Sequence, residues 1–214
     1  MTPSAKAVDS TLASVPADRI SCLNSHAPRV DGKYVLYWMT AYRRVTSNYA
    51  LQHAAEWADR LKKPLLILEA LQSDYPWSSP RFHQFVADGM KDNARATQDS
   101  NTAYYPYIEP SPGAGKGLLR ELSGQSCLVV TDDYPCFFLP GLQRYCSHLD
   151  TLSLAVDSNG ILPMRHADKI YTTAYSFRRF LQKQLRPFLT EAPTETPLLT
   201  SLPRGTLEEL VSAE

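Results

Sequence analysis

The sequence predicts an α/β fold built on a largely parallel sheet. Two observations lead to this prediction. Short apolar runs without Pro or Gly, typical of strands buried on both faces, recur along the chain. They alternate with segments whose apolar residues fall at helical spacing. Such alternation is the pattern of strands joined by right-handed helical crossovers.

The first predicted strand is the centre of the sheet. Residues Lys33 to Met39 carry aromatic and branched side chains at both odd and even positions, as expected of a strand covered on two faces. A helix follows from Ser47. Its apolar residues at helical spacing are Leu51, Ala54, Ala55, Ala58 and Leu61. The loop between strand and helix carries Tyr42, Arg43 and Arg44.

Four further strands are predicted, with helices between them. The strands are Leu65 to Leu68, Ala103 to Ile108, Cys127 to Thr131 and Leu152 to Val156. Pro106 has no amide to donate, which places the third strand at an edge or interrupts it. With the strands in the order 3-2-1-4-5, the five-stranded sheet is Rossmann-like and doubly wound. The order then reverses between the first and fourth strands.

Three further helices are predicted from their apolar residues. The residues expected on the inner face of the helix from Pro80 are Phe82, Phe85, Val86 and Met90. The helix from about Phe138 carries Leu142 and Tyr145. The last helix, about Thr173 to Arg186, has an apolar stripe of Ala174, Phe177, Leu181, Leu185 and Phe188 and a basic stripe of Arg179, Lys183 and Arg186. The basic stripe either meets phosphates or is simply solvated, and the solvated interpretation is favoured.

Length and composition predict one domain with tails. The 214 residues divide into a disordered tail at 1–19, the α/β domain at 20–189 and a C-terminal tail at 190–214. The 22 basic residues balance 22 acidic ones, so no global field favours nucleic acid or a membrane surface. The four cysteines form no Cys-x-x-Cys pair, and no apolar leader or spanning run is present. We therefore expect a soluble, cytoplasmic protein without a membrane partner.

The candidate ligand site lies where the strand order reverses, because ligands of doubly wound sheets bind outside the carboxyl ends of the strands there. The residues predicted to bind are Trp38, Met39, Thr40, Tyr42, Arg44, Thr131, Asp132 and Tyr134. The rings of Tyr42 and Tyr134, with Tyr75 and Trp77 of the next loop, either stack on a planar ligand or pack within their loops. Asp132 and its neighbour point to opposite sides of an extended chain, so capping or turn formation is favoured over shared ligation.

Other motifs are rejected on their spacing. The stretch Gly113 to Gly117 is rich in glycine, but Lys116 is followed by Gly117 where a phosphate loop needs Ser or Thr. The five histidines share no metal-ligand spacing, and no Ser or Cys lies in a nucleophile elbow. The sequence therefore predicts no metal site and no catalytic residue.

A series of short motifs along the chain resembles one known family. They are Tyr37-Trp38-Met39, Arg44-Val45, Asn48, Ala50-Leu51, Tyr75-Pro76, Arg81, Phe85, Gly89, Val129-Val130-Thr131-Asp132, Asp157, Pro163, Asp168-Lys169, Ala174, Ser176 and Arg178. Over roughly Ile20 to Leu185, their order and separation resemble the N-terminal α/β domain of class II DNA photolyases. Two stretches differ from that family: Asp133 to Cys136 replaces a basic, Gly-containing segment, and Tyr171 to Tyr175 departs from the usual residues.

The resemblance implies a domain that holds an antenna chromophore, such as a deazaflavin, and passes excitation to a flavin in a following helical domain. In that family the helical domain splits cyclobutane pyrimidine dimers. This chain is expected to stop before that domain, so FAD is not expected in it and DNA contact is expected only indirectly. Repair by the chain alone is not expected.

Three hypotheses follow. The chain is a photolyase-related domain that binds a planar or nucleotide-like ligand and works with a separately encoded flavin domain. Alternatively, it is a degenerate domain that serves as a protein-interaction module. In the third hypothesis it is a fragment of a full-length deoxyribodipyrimidine photo-lyase.

Overall fold

The computed structural model describes residues 15–167, 169–198 and 202–211. Within these ranges the strands are β1 (Ile20–Cys22), β2 (Tyr34–Met39), β3 (Leu65–Leu71), β4 (Ala103–Ile108), β5 (Ser126–Asp132) and β6 (Ser153–Val156). The α-helices are α1 (Tyr49–Leu61), α2 (Pro80–Thr97), α3 (Leu118–Gln125), α4 (Leu139–Ser147), α5 (Ala174–Gln184) and α6 (Leu207–Val211). None of these helices is both long and apolar enough to cross a bilayer.

The strands form one sheet in the order β1-β6-β5-β2-β3-β4. Neighbouring strands are parallel except β1 and β6, which are antiparallel. The α/β class is confirmed, and strands β2 to β6 pair in the order predicted for the five strands. The sheet differs in detail because β1 adds an edge strand beside β6. Its three residues are too few to show a strand periodicity in the sequence.

The central strand β2 is covered on both faces, as its sequence predicts. Val35 and Tyr37 lie in one core cluster with residues of α1, whereas Leu36 lies in a second cluster with residues of α3 and α4. Gly32, just before β2, passes so close to β5 that a Cβ atom there would lie 2.4 Å from the amide nitrogen of Cys127. Only glycine fits this approach without a backbone shift.

Side-chain caps fix where the first two long helices begin. The Asn48 side chain accepts hydrogen bonds from the amides of Ala50 and Leu51 at the start of α1. Ser79 caps α2 in the same way, and Pro80 occupies the first turn, where its missing amide costs nothing. These caps set the loop after β2 and the loop after β3 at defined lengths.

The predicted inner face of α2 is wrong in part, and the helix predicted from about Phe138 is present as α4. Phe82 and Phe85 of α2 are 52% and 80% exposed, and Met90 is buried with Asn93 in the second half of the helix. The buried residues of α2 all lie in this second half, so the apolar periodicity of the first two turns does not predict which residues are buried. In α4, Tyr145 is exposed, and the buried residues are Leu139 and Cys146.

Packed residues lie on both sides of the predicted domain boundaries. Val15 and Arg19 are buried, and the Arg19 guanidinium donates to the carbonyls of Asp157 and Ile161. Leu202 and Leu210 are also buried, and Leu210 lies in α6, which packs beside β4. Residues 1–14, 168, 199–201 and 212–214 lie outside the described residues. The division into tails and domain stays a prediction.

Candidate functional site at the carboxyl end of the central strand

Strands β2 and β5 end at the same edge of the sheet. They are adjacent and parallel, and Trp38 is in register with Thr131. The structure therefore brings the eight predicted site residues to one edge. Two of them face inward: Met39 is buried in the core, and the Thr131 hydroxyl donates to the Trp38 carbonyl at 2.9 Å. Trp38 is half-buried.

We refer to this edge, where the loop after β2 lies beside the end of β5, as the β2–β5 crevice, and the buried carboxylate of Asp132 lies there. Its Oδ2 atom accepts the backbone amides of Thr40, Ala41 and Tyr42 at 2.8, 2.7 and 3.1 Å. Its Oδ1 atom accepts the Tyr37 hydroxyl at 2.8 Å. Both oxygens therefore already serve the protein, and Asp132 acts as a fixed anchor for the loop after β2. The sequence favours helix capping or turn formation over ligation, and the structure shows Asp132 bound to loop amides, whereas the cap of α1 is Asn48.

Asn48 completes the anchor from below. Its side-chain amide donates to the Tyr37 hydroxyl at 3.0 Å and to the carbonyls of Tyr42 and Arg44. Burial and the nearby Asp132 charge raise the pKa of Tyr37 well above its ordinary value, so this phenol stays protonated and donates to the carboxylate. The loop is thus held from the helix side as well as from β5.

A second buried carboxylate, Glu69 of β3, holds the other side of the loop. The Arg43 guanidinium lies 3.1 Å from Glu69 and donates to the Ala70 carbonyl at 2.7 Å. Asn93 and the Tyr104 hydroxyl donate to the second carboxylate oxygen at 2.9 and 2.5 Å. Sequence reasoning missed this cluster. The signal was present, because Glu69 is the only charged residue within β3.

Burial acts on the charge of Asp132. Desolvation raises its pKa above the ordinary carboxyl value, and the hydrogen bonds from Ala41, Tyr37 and Thr40 oppose that shift. The pKa of Asp157 is also raised, first by burial. Asp157, Asp132 and Asp133 all lie close enough to Tyr42 for their charges to act on its hydroxyl, and this grouping of carboxylates disfavours a polyanionic ligand here.

Two tyrosine rings lie together at this edge of the sheet. The rings of Tyr42 and Tyr134 meet edge to face with centroids 6.1 Å apart, and the Arg44 guanidinium lies 5.5 Å from the Tyr42 ring. The Tyr42 hydroxyl is buried without a hydrogen-bond partner among the described residues. Burial raises the pKa of Tyr42 far above its ordinary value, as do the charges of Asp157 and Asp132. This phenol is a protonated donor without an acceptor.

Trp77 and Tyr75 belong to the loop after β3 and not to the Tyr42–Tyr134 pair. Trp77 is 86% exposed, and the Tyr75 ring packs on His83 at a centroid distance of 5.5 Å. Trp77 also has a left-handed backbone, with φ of 66°. That conformation is uncommon for a residue other than glycine.

The glycine-rich stretch after β4 also binds a carboxylate of its own chain. Glu109 accepts the amides of Gly113 and Gly115 with one oxygen and the amide and hydroxyl of Ser73 with the other. The amides of Gly113 and Gly115, which a phosphate loop would offer to a ligand, are therefore occupied. This is consistent with the sequence of the loop, whose spacing does not match a phosphate loop. Among the described residues, no group of three or more His, Cys, Asp or Glu is placed to hold a metal ion.

Comparison with known proteins agrees with the family resemblance. Over 189 residues the chain is 28% identical to a deoxyribodipyrimidine photo-lyase of Methanothermobacter thermautotrophicus. This chain is similar to a photolyase. The alignment covers 88% of this chain and 42% of that protein, so the chain spans about two fifths of the length of this relative.

Two further comparisons add nothing to the assignment. No protein-family model matches the chain. A solved universal stress protein in complex with cAMP aligns with a TM-score of 0.36 and 16% identity, over 60% of this chain and 99% of that one. A likeness at that level carries no argument about fold or ligand.

Proposed function

We propose that this chain is a photolyase-related domain that holds a planar antenna chromophore of deazaflavin type and serves light-dependent DNA repair. The observation that carries the proposal is the match of 88% of the chain to a deoxyribodipyrimidine photo-lyase. A flavin-bearing domain, in the same polypeptide or a separate one, would perform the repair. The chain's own part is to place the chromophore.

The mouth of the β2–β5 crevice supplies groups that suit a flat ring. Tyr42 and Tyr134 offer aromatic faces, and Arg44 offers an exposed cation beside them. The Tyr42 hydroxyl, which is buried and has no acceptor among the described residues, would donate to a carbonyl of a ligand that enters beside it. When bound, a deazaflavin would absorb light and pass the excitation to the flavin.

The same geometry favours a planar ring over a nucleotide phosphate. In doubly wound folds, phosphates bind to backbone amides of the loop after the first strand. Here the amides of Thr40, Ala41 and Tyr42 already donate to Asp132. A phosphate would have to displace a carboxylate that these amides hold, so we expect nucleotides to bind weakly.

The test is a fluorescence titration of the purified protein with a deazaflavin, FMN and ATP. We expect the deazaflavin to bind most tightly. Tyr134→Ala and Arg44→Gln should each weaken that binding about 5-fold to 30-fold, since one stacking or cation–π contact contributes about 1–2 kcal/mol. Tyr42→Phe should weaken it without lowering the unfolding midpoint, because the lost hydroxyl has no hydrogen-bond partner within the described parts of the chain.

Arg60→Gln is the matched control. The Arg60 guanidinium also lies over an aromatic ring, that of Trp57 at 4.7 Å, but at the far end of α1 from the crevice. It should bind the deazaflavin like the unaltered protein. Equal affinities for all four variants, or tighter binding of ATP than of the deazaflavin, would contradict the proposed site.

A protein-interaction module is the second candidate function, and one observation favours it. The rings of Tyr42 and Tyr134 already contact each other across the crevice. Trp77 and Phe137, from loops at the same edge of the sheet, are 86% and 84% exposed, as hot-spot residues of protein interfaces are before binding. Under this hypothesis neither the unaltered protein nor Tyr134→Ala binds the deazaflavin, FMN or ATP in the titration.

A further inference from the structure

The charges of the chain are segregated along its length. Residues Lys169 to Thr190 contain five basic residues and no acidic one, which leaves 17 basic against 22 acidic residues elsewhere. The zero net charge therefore hides a cationic segment on an otherwise acidic chain. That segment contains helix α5.

The cations of α5 are grouped on one face around an exposed ring. Arg178, Arg179 and Lys183 are exposed, and Tyr175 is 60% exposed between them. The guanidinium carbons of Arg178 and Arg179 lie 5.6 and 5.8 Å from the centroid of the Tyr175 ring. At 100° per residue, these four side chains lie on one side of the helix, opposite Phe177 and Leu181.

No carboxylate among the described residues pairs with these cations. The contrast with α2 is direct: its exposed Lys91 and Arg95 lie 3.0 and 2.7 Å from Asp88 and Asp92, one turn earlier. On α2 these i,i+3 pairs offset the exposed cations. The face of α5 is thus cationic without neutralisation from the part of the protein that the structure describes.

We propose that this face of α5 binds the phosphate backbone of nucleic acid without regard to sequence. Charge complementarity selects a polyanion, and the 11-residue helix is about 16 Å long, enough to follow several phosphates of one strand. Tyr175, exposed among arginines, provides a ring on which an unpaired base stacks. The inference stands on the charges and exposure of α5 and does not rest on the proposed chromophore site.

A nucleic acid fits this helix better than a membrane surface. An interfacial helix inserts its apolar face, which must be free. Here the rings of Phe177 and Phe180 pack on Tyr171 at centroid distances of 5.4 and 5.0 Å, and Leu181 is half-buried. Phe177 is still 40% exposed, but the basic face itself carries no aliphatic side chain that would enter a bilayer.

The experiment is a fluorescence anisotropy titration of the whole chain against a labelled single-stranded oligo-dT 20-mer at several salt concentrations. The test variant is Arg178→Gln/Arg179→Gln/Lys183→Gln, and the matched control is Lys91→Gln/Arg95→Gln. Loss of three phosphate contacts should flatten the slope of log K against log salt by about 2 and weaken binding at least tenfold at about 50 mM salt. Tyr175→Ala should weaken binding with the slope unchanged.

The control should bind as the unaltered chain does. Absence of binding by the unaltered chain at low salt, or equal losses in the test and control variants, would overturn the assignment. Binding to phosphatidylglycerol vesicles with no binding to the oligonucleotide would overturn it as well. Because the titration follows DNA and not the chromophore, its failure leaves the proposed chromophore site unaffected.

Discussion

Replacement of Asp132 by alanine tests whether this carboxylate is a structural anchor. The substitution removes the acceptor of three half-buried loop amides and of the buried Tyr37 hydroxyl. A buried donor left without a partner costs about 1–3 kcal/mol and a half-buried one less, so the free energy of unfolding should fall by roughly 3–6 kcal/mol. The charge of Asp132 is itself desolvated, as its raised pKa indicates. That cost vanishes in the variant, so we expect the lower end, about 3 kcal/mol.

Asp133→Ala is the control for this measurement. Asp133 accepts a hydrogen bond from Gln143 and pairs with Arg165 at 3.1 Å, but the pair is partly exposed. Such a pair contributes about 1 kcal/mol or less. The two substitutions remove the same chemical group from adjacent positions. The difference between their losses in free energy of unfolding therefore measures what the hydrogen bonds of Asp132 to the loop contribute.

Urea unfolding followed by the fluorescence of the three tryptophans gives both values. At a denaturant dependence of about 2–3 kcal/mol per molar, the Asp132→Ala midpoint should lie about 1 M below that of the unaltered protein. Asp133→Ala should lie within a few tenths of a molar of it. Equal midpoints for the two variants would refute the claim that Asp132 anchors the loop after β2, and Asp132 would again be a candidate ligand-binding residue.

Two further predictions concern glycines and a carboxylate outside the crevice. Gly32→Ala should destabilise the protein by about 2 kcal/mol or more, because its Cβ would lie 2.4 Å from a backbone nitrogen of β5. Gly89 lies in open space on α2, so Gly89→Ala should stabilise the protein by about 0.5–1 kcal/mol. Urea midpoints of the two variants that shift in the same direction would contradict this prediction. Hydrogen bonds from the backbone of Ser73 and of the glycine loop hold the pKa of Glu109 below its ordinary value. The stability that Glu109 contributes is therefore present above the ordinary carboxyl pKa and is lost as the pH falls through the lowered pKa of the folded protein. Amide exchange measured by NMR should show the protection factors of Gly113 and Gly115 falling over that acidic range, and no such pH dependence in Glu109→Gln.

The buried strands could be predicted because they are apolar at every position. Strands β2 and β5 are covered on both faces, so their sequences need no knowledge of the partner strand. Their order follows from the connection rules, and the order then places the loop after β2 beside the end of β5. In contrast, the three-residue β1 is defined only by its pairing with β6.

The chemistry inside the crevice could be predicted only in outline. The position of Asp132 at the end of a strand was visible, but its partners lie some 90 residues earlier in the chain. Glu69 escaped prediction because a charge within an apolar strand has no local explanation until Arg43 and Tyr104 are placed around it. The error at Phe85 has the opposite origin, since helical periodicity shows which residues share a face but not whether that face is covered.

The absorption spectrum of the freshly purified chain tests the central claim most directly. The account predicts a visible band from a bound chromophore, or the appearance of such a band after incubation with a deazaflavin and removal of the free ligand. Tyr134→Ala should lose much of that band while keeping the unfolding midpoint of the unaltered protein within about 1 M urea. A colourless protein that retains no deazaflavin after this treatment would contradict the claim that the crevice between β2 and β5 holds a planar chromophore.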